Sequence, residues 1–203
     1  KITQNRAVFN IVGMSPDEYP IFPTFTTREF LKIEPSVLSE MIEKTIYAVS
    51  MDETRYHLNG VFLETKSEGG ALVYRMVATD GHRLSLINRK VDNSGVNVNN
   101  SGVIVPRKGL HEIRKLLEGV DKPVEFAIEG AQLIVRSGTS LLMIRLIEGR
   151  YPNYQQLIPQ NLREHLLVQR EPLLSSLRRV SLLSNTKSKG VTLSLSMGKM
   201  EIA

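Results

Sequence analysis

Apolar positions along the chain alternate between two periods. Over Pro35–Ser50, residues Val37, Leu38, Met41, Ile42, Thr45, Ile46 and Val49 recur at three- and four-residue spacing, which puts them on one face of a helix. Pro35 suits its first turn, where a missing N–H costs nothing. Three strand-like runs follow, Leu58–Thr65, Ala71–Ala78 and Arg83–Asn88, punctuated by Gly69-Gly70 and Asp80-Gly81, pairs that favour turns. The polar stretch VDNSGVNVNNSG, Val91 to Gly102, predicts a loop. A strand, Val103–Val105, then ends at Pro106. Arg107–Glu118 reads as a second helix with Leu110, Ile113, Leu116 and Leu117 inward and Gly119 as its stop. Three more strands are predicted at Val124–Ile128, Gln132–Arg136 and Leu141–Ile147. The pattern is one helix and three strands, twice. That is an α+β class, with antiparallel sheets joined by short turns and helices on one face.

A longer period lies over this one. FNIVGMSPDEYPIFP (Phe9–Pro23) and MIRLIEGRYPNYQQLIP (Met143–Pro159) both run from an apolar strand through a turn to an aromatic-Pro step, Tyr19-Pro20 and Tyr151-Pro152. Arg28-Glu29-Phe30-Leu31 leads into EPSVLSEMIEKTIYAVS and LNGVFLE, as Arg163-Glu164-His165-Leu166 leads into EPLLSSLRRVSLLS and KGVTLSL. The landmarks Pro20/Pro152, Arg28/Arg163 and Gly60/Gly190 stay close to 130 residues apart, a domain-sized repeat rather than a solenoid period. The boundaries expected from it are 1–27, 28–162 and 163–203: the tail of one copy, a complete second and the opening of a third. The chain starts in one apparent strand, KITQNRAVFNIVG, and stops in another, KMEIA, so a piece of a longer protein is expected.

The chain has 203 residues, 41% of them hydrophobic and 23% charged, with no cysteine. Such a composition can bury a core and excludes wholesale disorder, a disulfide framework and thiolate chemistry. No apolar run approaches the roughly 18 residues of a membrane helix, and no signal peptide is visible; a reducing cytoplasm is compatible. Four scattered His residues make a metal site unexpected. The net charge of +5 is concentrated at the end. Residues 163–203 hold Arg163, Arg170, Arg178, Arg179, Lys187, Lys189 and Lys199 against three acids. The second helix adds Arg107, Lys108, His111, Arg114 and Lys115 opposite its apolar side, interrupted by Glu112 and Glu118. On the third, Leu173, Leu174, Leu177 and Val180 point inward beside Arg178 and Arg179. Basic helical faces suit a phosphate backbone; from charge alone, with a modest +5, a solvated surface is the better expectation.

TDGHR, Thr79 to Arg83, is the run most like an active site. A hydrolase would use His82 as a base oriented by Asp80. Adjacent residues on a turn rarely meet in that order, and no G-x-S-x-G, His-x-x-x-His or phosphate loop accompanies them. A structural or peptide-binding hairpin is the better expectation.

RYHLNGVFLET (Arg55–Thr65), VATDGHRLSL (Val77–Leu86), VIVPRKGLHEIRKLLEG (Val103–Gly119) and EGRYPNYQQLIP (Glu148–Pro159), in this order and spacing, resemble the bacterial DNA polymerase III beta subunit family, the sliding clamps. The resemblance covers essentially the whole chain. It implies a DNA clamp fold of repeated helix-plus-three-strand units, with antiparallel sheets outside and helices facing a pore. It implies a head-to-tail homodimeric ring of six similar domains, non-catalytic, without cofactor or metal. Such a ring encircles duplex DNA irrespective of sequence and tethers the polymerase. Helices 35–50, 107–118 and 171–183 would face the pore, with Arg107, Lys108, Arg114, Lys115, Arg178 and Arg179 as basic candidates. Arg55 and Tyr56 would follow a DNA-touching loop, which here carries Asp52 and Glu53.

The resemblance also implies a pocket for short linear motifs from the polymerase III alpha subunit, the clamp loader and other partners. The matching positions are Leu58, Thr79, Gly81, His82, Arg83, Leu84, Pro152, Gln156 and Leu157. Leu58, Leu84, Pro152 and Leu157 would form apolar walls, and Thr79, His82, Arg83 and Gln156 a polar rim. Gln156 stands where some relatives have Arg. Part of that pocket and of the ring interface lies outside this chain, so weak peptide binding and no ring are expected of it alone. A non-topological DNA-binding or peptide-adaptor module is the alternative.

Overall fold

The computed structural model describes residues 1–19, 24–27, 30–69, 71–91, 102–160, 162, 165–183 and 190–203. They form two compact units, Lys1–Pro152 and Asn153–Ala203. In the first, β1 (Ile2–Gln4) and β2 (Ala7–Phe9) make a small hairpin. The single strand expected there is broken at Asn5, which takes φ 51°, a left-handed conformation that Asn tolerates. Then come β3 (Leu31–Ile33), α1 (Pro35–Ile46), β4 (Gly60–Glu68), β5 (Ala71–Thr79), β6 (Leu84–Val91), β7 (Val103–Pro106), α2 (Arg107–Leu116), β8 (Val124–Glu129), β9 (Gln132–Ser137) and β10 (Ser140–Arg145).

Each half contributes a helix and a three-strand meander, as the periodicity predicts. Both sheets nevertheless have four strands, in the orders β10-β9-β8-β3 and β6-β5-β4-β7. The fourth is exchanged: β3, which leads into α1, pairs with β8 of the other half, and β7, which leads into α2, pairs with β4. Leu31-Lys32-Ile33 is too short to show a period of two, so this strand is invisible to pattern reading. Both helices end earlier than expected. α1 gives way to a turn at Tyr47, and α2 stops at Leu116.

One core joins these parts. Leu38, Met41 and Ile42 of α1 and Leu110 and Ile113 of α2 are packed with Val61, Leu63, Tyr74, Met76 and Val105 from one sheet and Val124, Phe126, Leu133 and Val135 from the other. Tyr74 and Phe126 meet edge-on, 5.2 Å between centroids, across the two sheets. The alternation of a half-buried strand therefore aims one face of each sheet at the helices. The outer face of the first sheet is also covered. Leu86, Val77, Phe62 and Ile104 form one cross-strand row on it. Ile147 bridges to Ile104, and Tyr151 stacks on Phe62 at 4.9 Å and 9°. A second outer cluster is ionic: Arg75 reaches Glu68 at 2.7 Å and Glu64 at 3.7 Å, and Lys66 reaches Glu64 at 3.0 Å.

The segment entering the domain is held by Glu129 at the β8–β9 turn. Its carboxylate accepts from the Thr26 amide at 3.0 Å, the Thr26 hydroxyl at 2.6 Å and the Thr27 amide at 3.1 Å. These bonds keep the Glu129 carboxyl below its ordinary range.

The second unit holds a short 3-10 helix (Tyr154–Leu157), α3 (Arg170–Ser181) and a hairpin of β11 (Leu193–Ser196) and β12 (Lys199–Ile202). None of the α3 side chains is buried. Leu173, Leu174, Leu177 and Val180, expected inward, are its more covered face but only half-buried. Among the described residues no helix is long and apolar enough to cross a membrane.

Candidate functional site

The TDGHR turn closes the β5–β6 hairpin: Thr79 pairs with Leu84, leaving Asp80–Arg83 as a four-residue loop. Its hydrogen bonds are local. The Thr79 hydroxyl donates to the Arg83 carbonyl at 2.6 Å and accepts from the Gly81 amide at 3.1 Å. Asp80 Oδ1 accepts from the amides of His82 and Arg83 at 3.0 and 3.1 Å, and Oδ2 from Arg83 Nε at 3.0 Å. Burial raises the Asp80 carboxyl's pKa, but these donors outweigh it and hold the group below its ordinary range. Gly81 takes φ +91°, a backbone that residues with a Cβ rarely adopt. Arg83 also donates to the Tyr47 carbonyl at 2.7 Å, so it ties the turn to the C-terminal end of α1.

This bonding leaves no acid–base pair. Asp80 meets the main chain of His82, so it does not orient the imidazole as a hydrolytic base would need. Among the described residues no group of three or more His, Asp or Glu could hold a metal.

A second turn stands beside the first. Asp52 caps the 3-10 helix Glu53–Leu58, accepting from the Thr54 amide at 3.0 Å and hydroxyl at 2.6 Å. Those Thr54 bonds, with Arg55 Nε at 3.1 Å, lower the Asp52 pKa. The guanidinium so held lies against Gly81: Arg55 Nη1 is 2.8 Å from where a Gly81 Cβ would stand. Sequence reading grouped Arg55 with the DNA-facing set; its contact here is with the TDGHR turn. Tyr56 is exposed, its ring beside Gly149 and edge-on to His57.

The β4–β5–β6 register gathers most of the expected pocket at one end of a sheet. Leu58 precedes β4, Thr79 ends β5 and Leu84 begins β6. Leu58 and Thr79 are buried, Leu84 and Pro152 half-buried, and Gly81, His82 and Arg83 exposed. Tyr151, which carried no role in the sequence reading beyond a turn, anchors this end through its stack on Phe62. Its hydroxyl is buried without a well-formed partner. Burial pushes the phenol up to about 12, and the nearby Thr79 main chain offsets only part of this. The repeated aromatic-Pro step was the available signal. Gln156 and Leu157 belong to the second unit, where both are exposed on the 3-10 helix Tyr154–Leu157.

Charge is distributed unequally between the helices. On α2, Lys108, Arg114 and Lys115 are exposed, and Lys115 pairs with Glu112 at 3.0 Å. Arg107 is half-buried; its Nη1 lies 2.7 Å from Met51 Sδ and its Nε is buried without a partner. α1 carries Glu40, Glu43 and Lys44, with Glu34 just before it, and Glu40 binds Arg89 in a bidentate pair at 3.1 and 2.6 Å. In the second unit Arg178 and Arg179 are exposed on α3, and Arg179 donates to Ser176 Oγ at 3.2 Å. The expected features at Pro20, Arg28-Glu29, Gly70, the loop over 92–101, Arg163-Glu164, Lys187 and Lys189 lie outside the described residues.

Two four-stranded antiparallel sheets closed over a pair of helices, each sheet borrowing a strand from the other half, define an α+β domain of the DNA-clamp class. The chain belongs to the DNA polymerase III beta subunit family: residues 32–153 match the model of that subunit's central domain. It is 31% identical over 201 residues to a beta sliding clamp of Caulobacter vibrioides, covering 99% of this chain and 54% of the relative. Among solved structures, a C. crescentus beta sliding clamp superposes with a TM-score of 0.88 at 30% identity, covering 98% of this chain and 53% of the other. A Bacillus subtilis DNA polymerase sliding clamp gives 0.85 at 30% identity, covering 98% and 51%. The chain thus spans about half the length of the relatives it matches.

Proposed function

We propose that the chain is the middle portion of a non-catalytic sliding clamp, the processivity factor of a bacterial replicative polymerase in the cytoplasm. In the full-length homodimer a closed ring surrounds duplex DNA and tethers its partners. These are the DNA polymerase III alpha subunit, the clamp loader and other proteins that present short clamp-binding motifs. Residues 1–27 then belong to a first domain, 28–162 to the second and 163–203 to the third. A tethered enzyme rebinds at a high effective concentration instead of diffusing away.

The observation that carries this reading is the exposed basic face of α2 within a domain matched to the family. Lys108, Arg114 and Lys115 offer exposed positive charge on one helix, which suits sequence-independent phosphate contact that slides. Arg107 and, on α3, Arg178 and Arg179 extend the set. The first unit's share of the pocket is the sheet end at Leu58, Thr79, Gly81, His82, Arg83, Leu84 and Pro152, with apolar anchors meeting Leu and Pro walls; Gln156 and Leu157 are the second unit's candidates by family resemblance. Arg55 joins its rim, and Tyr56 remains the DNA-facing candidate of that turn.

The test loads the full-length protein onto nicked circular DNA with its clamp loader, washes in moderate salt and then cuts the circle once. Retention on the circle and release on linearisation are expected. Equal salt-sensitive loss from both forms, with loading verified on a control clamp, refutes topological linkage and leaves the non-topological DNA-binding adaptor.

A further inference from the structure

Asn59 stands where the turn that carries Arg55 joins the sheet, and it is half-buried there. Its amide donates to the Tyr56 carbonyl at 3.0 Å, and its carbonyl accepts from the Arg107 amide at 3.2 Å. The main chain is thus fixed to the turn on one side and to the start of α2 on the other. The next residue, Gly60, runs so close to β7 that a Cβ would lie 2.5 Å from the Val105 carbonyl oxygen. The anchor is therefore rigid. One end of the Asn59 carboxamide faces the main-chain carbonyls of Ser50 and Asp52, at 3.1 Å each. Only the NH2 group satisfies them, one hydrogen to each. The bonds from Thr54 and Arg55 to the Asp52 carboxylate shape the turn from within. They do not fasten it to the sheet; the Asn59 carboxamide does, beside the Ser50 amide that donates to the Leu58 carbonyl at 3.0 Å.

We propose that Asn59 is a positioning residue for the peptide pocket. Its carboxamide holds the Ser50–Asp52 main chain in place. The Asp52 carboxylate, so placed, holds the Arg55 guanidinium against Gly81 of the TDGHR turn. Both hydrogens of the NH2 are spent on the turn, so the residue acts through Arg55 and not by offering a bond to a partner. Without this tie Arg55 samples other positions, and a binding peptide has to order it again, which weakens the complex. The inference rests on the reading of this sheet end as a peptide pocket with Arg55 on its rim.

The experiment follows, by fluorescence anisotropy, a labelled clamp-motif peptide binding to the full-length protein. Asn59→Ala should weaken binding roughly three- to tenfold, the worth of about one hydrogen bond. In an Arg55→Ala background the same substitution should change affinity by less than about twofold, because its effect passes through Arg55. Asn59→Asp keeps the shape but sets a carboxylate against both carbonyls, so it should weaken binding more than Asn59→Ala does. Hydrogen exchange at the Ser50 and Arg55 amides should quicken in both variants while the β5 and β6 amides stay protected, which separates a loosened turn from a failing fold. If Asn59→Ala does not fold, Asn59→Ser, which keeps one donor, replaces it in the cycle with a smaller loss expected. Unchanged affinity overturns the proposal. So do additive losses from the Asn59 and Arg55 substitutions, or β5–β6 exchange that rises together with the turn's. If Arg55→Ala alone weakens binding, the pocket reading survives that failure. If Arg55→Ala changes nothing, Arg55 has no place on the rim and the proposal falls with it.

Discussion

Removing the Asp80 carboxylate tests whether the TDGHR turn is a structural receptor. Asp80→Ala deletes two bonds from main-chain amides, at 3.0 and 3.1 Å, and one from the Arg83 guanidinium at 3.0 Å. The amide bonds are each worth about 1 kcal/mol net. The guanidinium contact adds up to about 1 kcal/mol, since Arg83 is largely exposed and keeps its bond to the Tyr47 carbonyl. The sum is about 2–3 kcal/mol, or roughly 4–12 °C in Tm for a domain of this size. Asp80→Asn retains an oxygen for both amides but sets an NH2 against Arg83 Nε, so its cost should stay near 0.5–1 kcal/mol. Urea unfolding followed by circular dichroism measures both, and anisotropy with a clamp-motif peptide should show weaker binding by the Ala variant. The pH dependence supplies an internal check. The folded carboxyl titrates below its unfolded value, so its contribution is complete above pH ~4 and disappears as pH falls through the folded value. The wild-type advantage over Asp80→Asn should shrink over that acid window. An Ala variant within about 0.5 kcal/mol of wild type, or an advantage independent of pH, would refute this account of the turn.

Tyr151 gives the opposite limb. Its phenol is pushed up to about 12, so the unfolded chain loses this proton first; stability should fall from about pH 10 towards 12, and Tyr151→Phe should flatten that fall in alkaline urea titrations. At neutral pH the same variant should be neutral or slightly stabilising, because it removes a buried hydroxyl without a well-formed partner and keeps the Phe62 stack. Glu129→Gln should expose the Thr26 and Thr27 amides to faster hydrogen exchange while the β8–β9 amides stay protected; unchanged Thr26 exchange would show that the carboxylate clamp is dispensable. Gly60→Ala would put a Cβ 2.5 Å from the Val105 carbonyl oxygen. Neither partner can step aside without moving the β4–β7 ladder, so a loss of about 1–3 kcal/mol is expected in urea unfolding.

How much of this was legible depends on length and on distance along the chain. α1 and α2 were visible because their buried faces repeat over three turns, and the meanders because Gly and Asp punctuate them. β3 was not, since three residues carry no period and its partner β8 lies about ninety residues on. The pocket positions came from the family resemblance, not from chemistry in the residues. What those residues do locally was hidden: Asp80, which suggested an acid–base pair, bonds the main chain. Arg55, expected beside a DNA-touching loop, is held by Asp52 against Gly81, a contact no local pattern announces. Tyr151 became informative only once Phe62 stood beneath it. Side-chain partners of this kind are set by tertiary contact, to which local propensity is blind.

The exchanged strands make α1 and α2 structurally equivalent, yet their surfaces differ in sign. α2 exposes Lys108, Arg114 and Lys115, while α1 answers with Glu40 and Glu43 beside a single Lys44. For a protein that held DNA by charge alone, this would squander half of the available helical surface. A closed ring has a different requirement. Closure supplies retention, and each phosphate contact adds salt-dependent affinity that resists translocation. Under the clamp reading, pairing a basic α2 with an acidic α1 is what keeps this domain's contact with phosphate weak enough to slide.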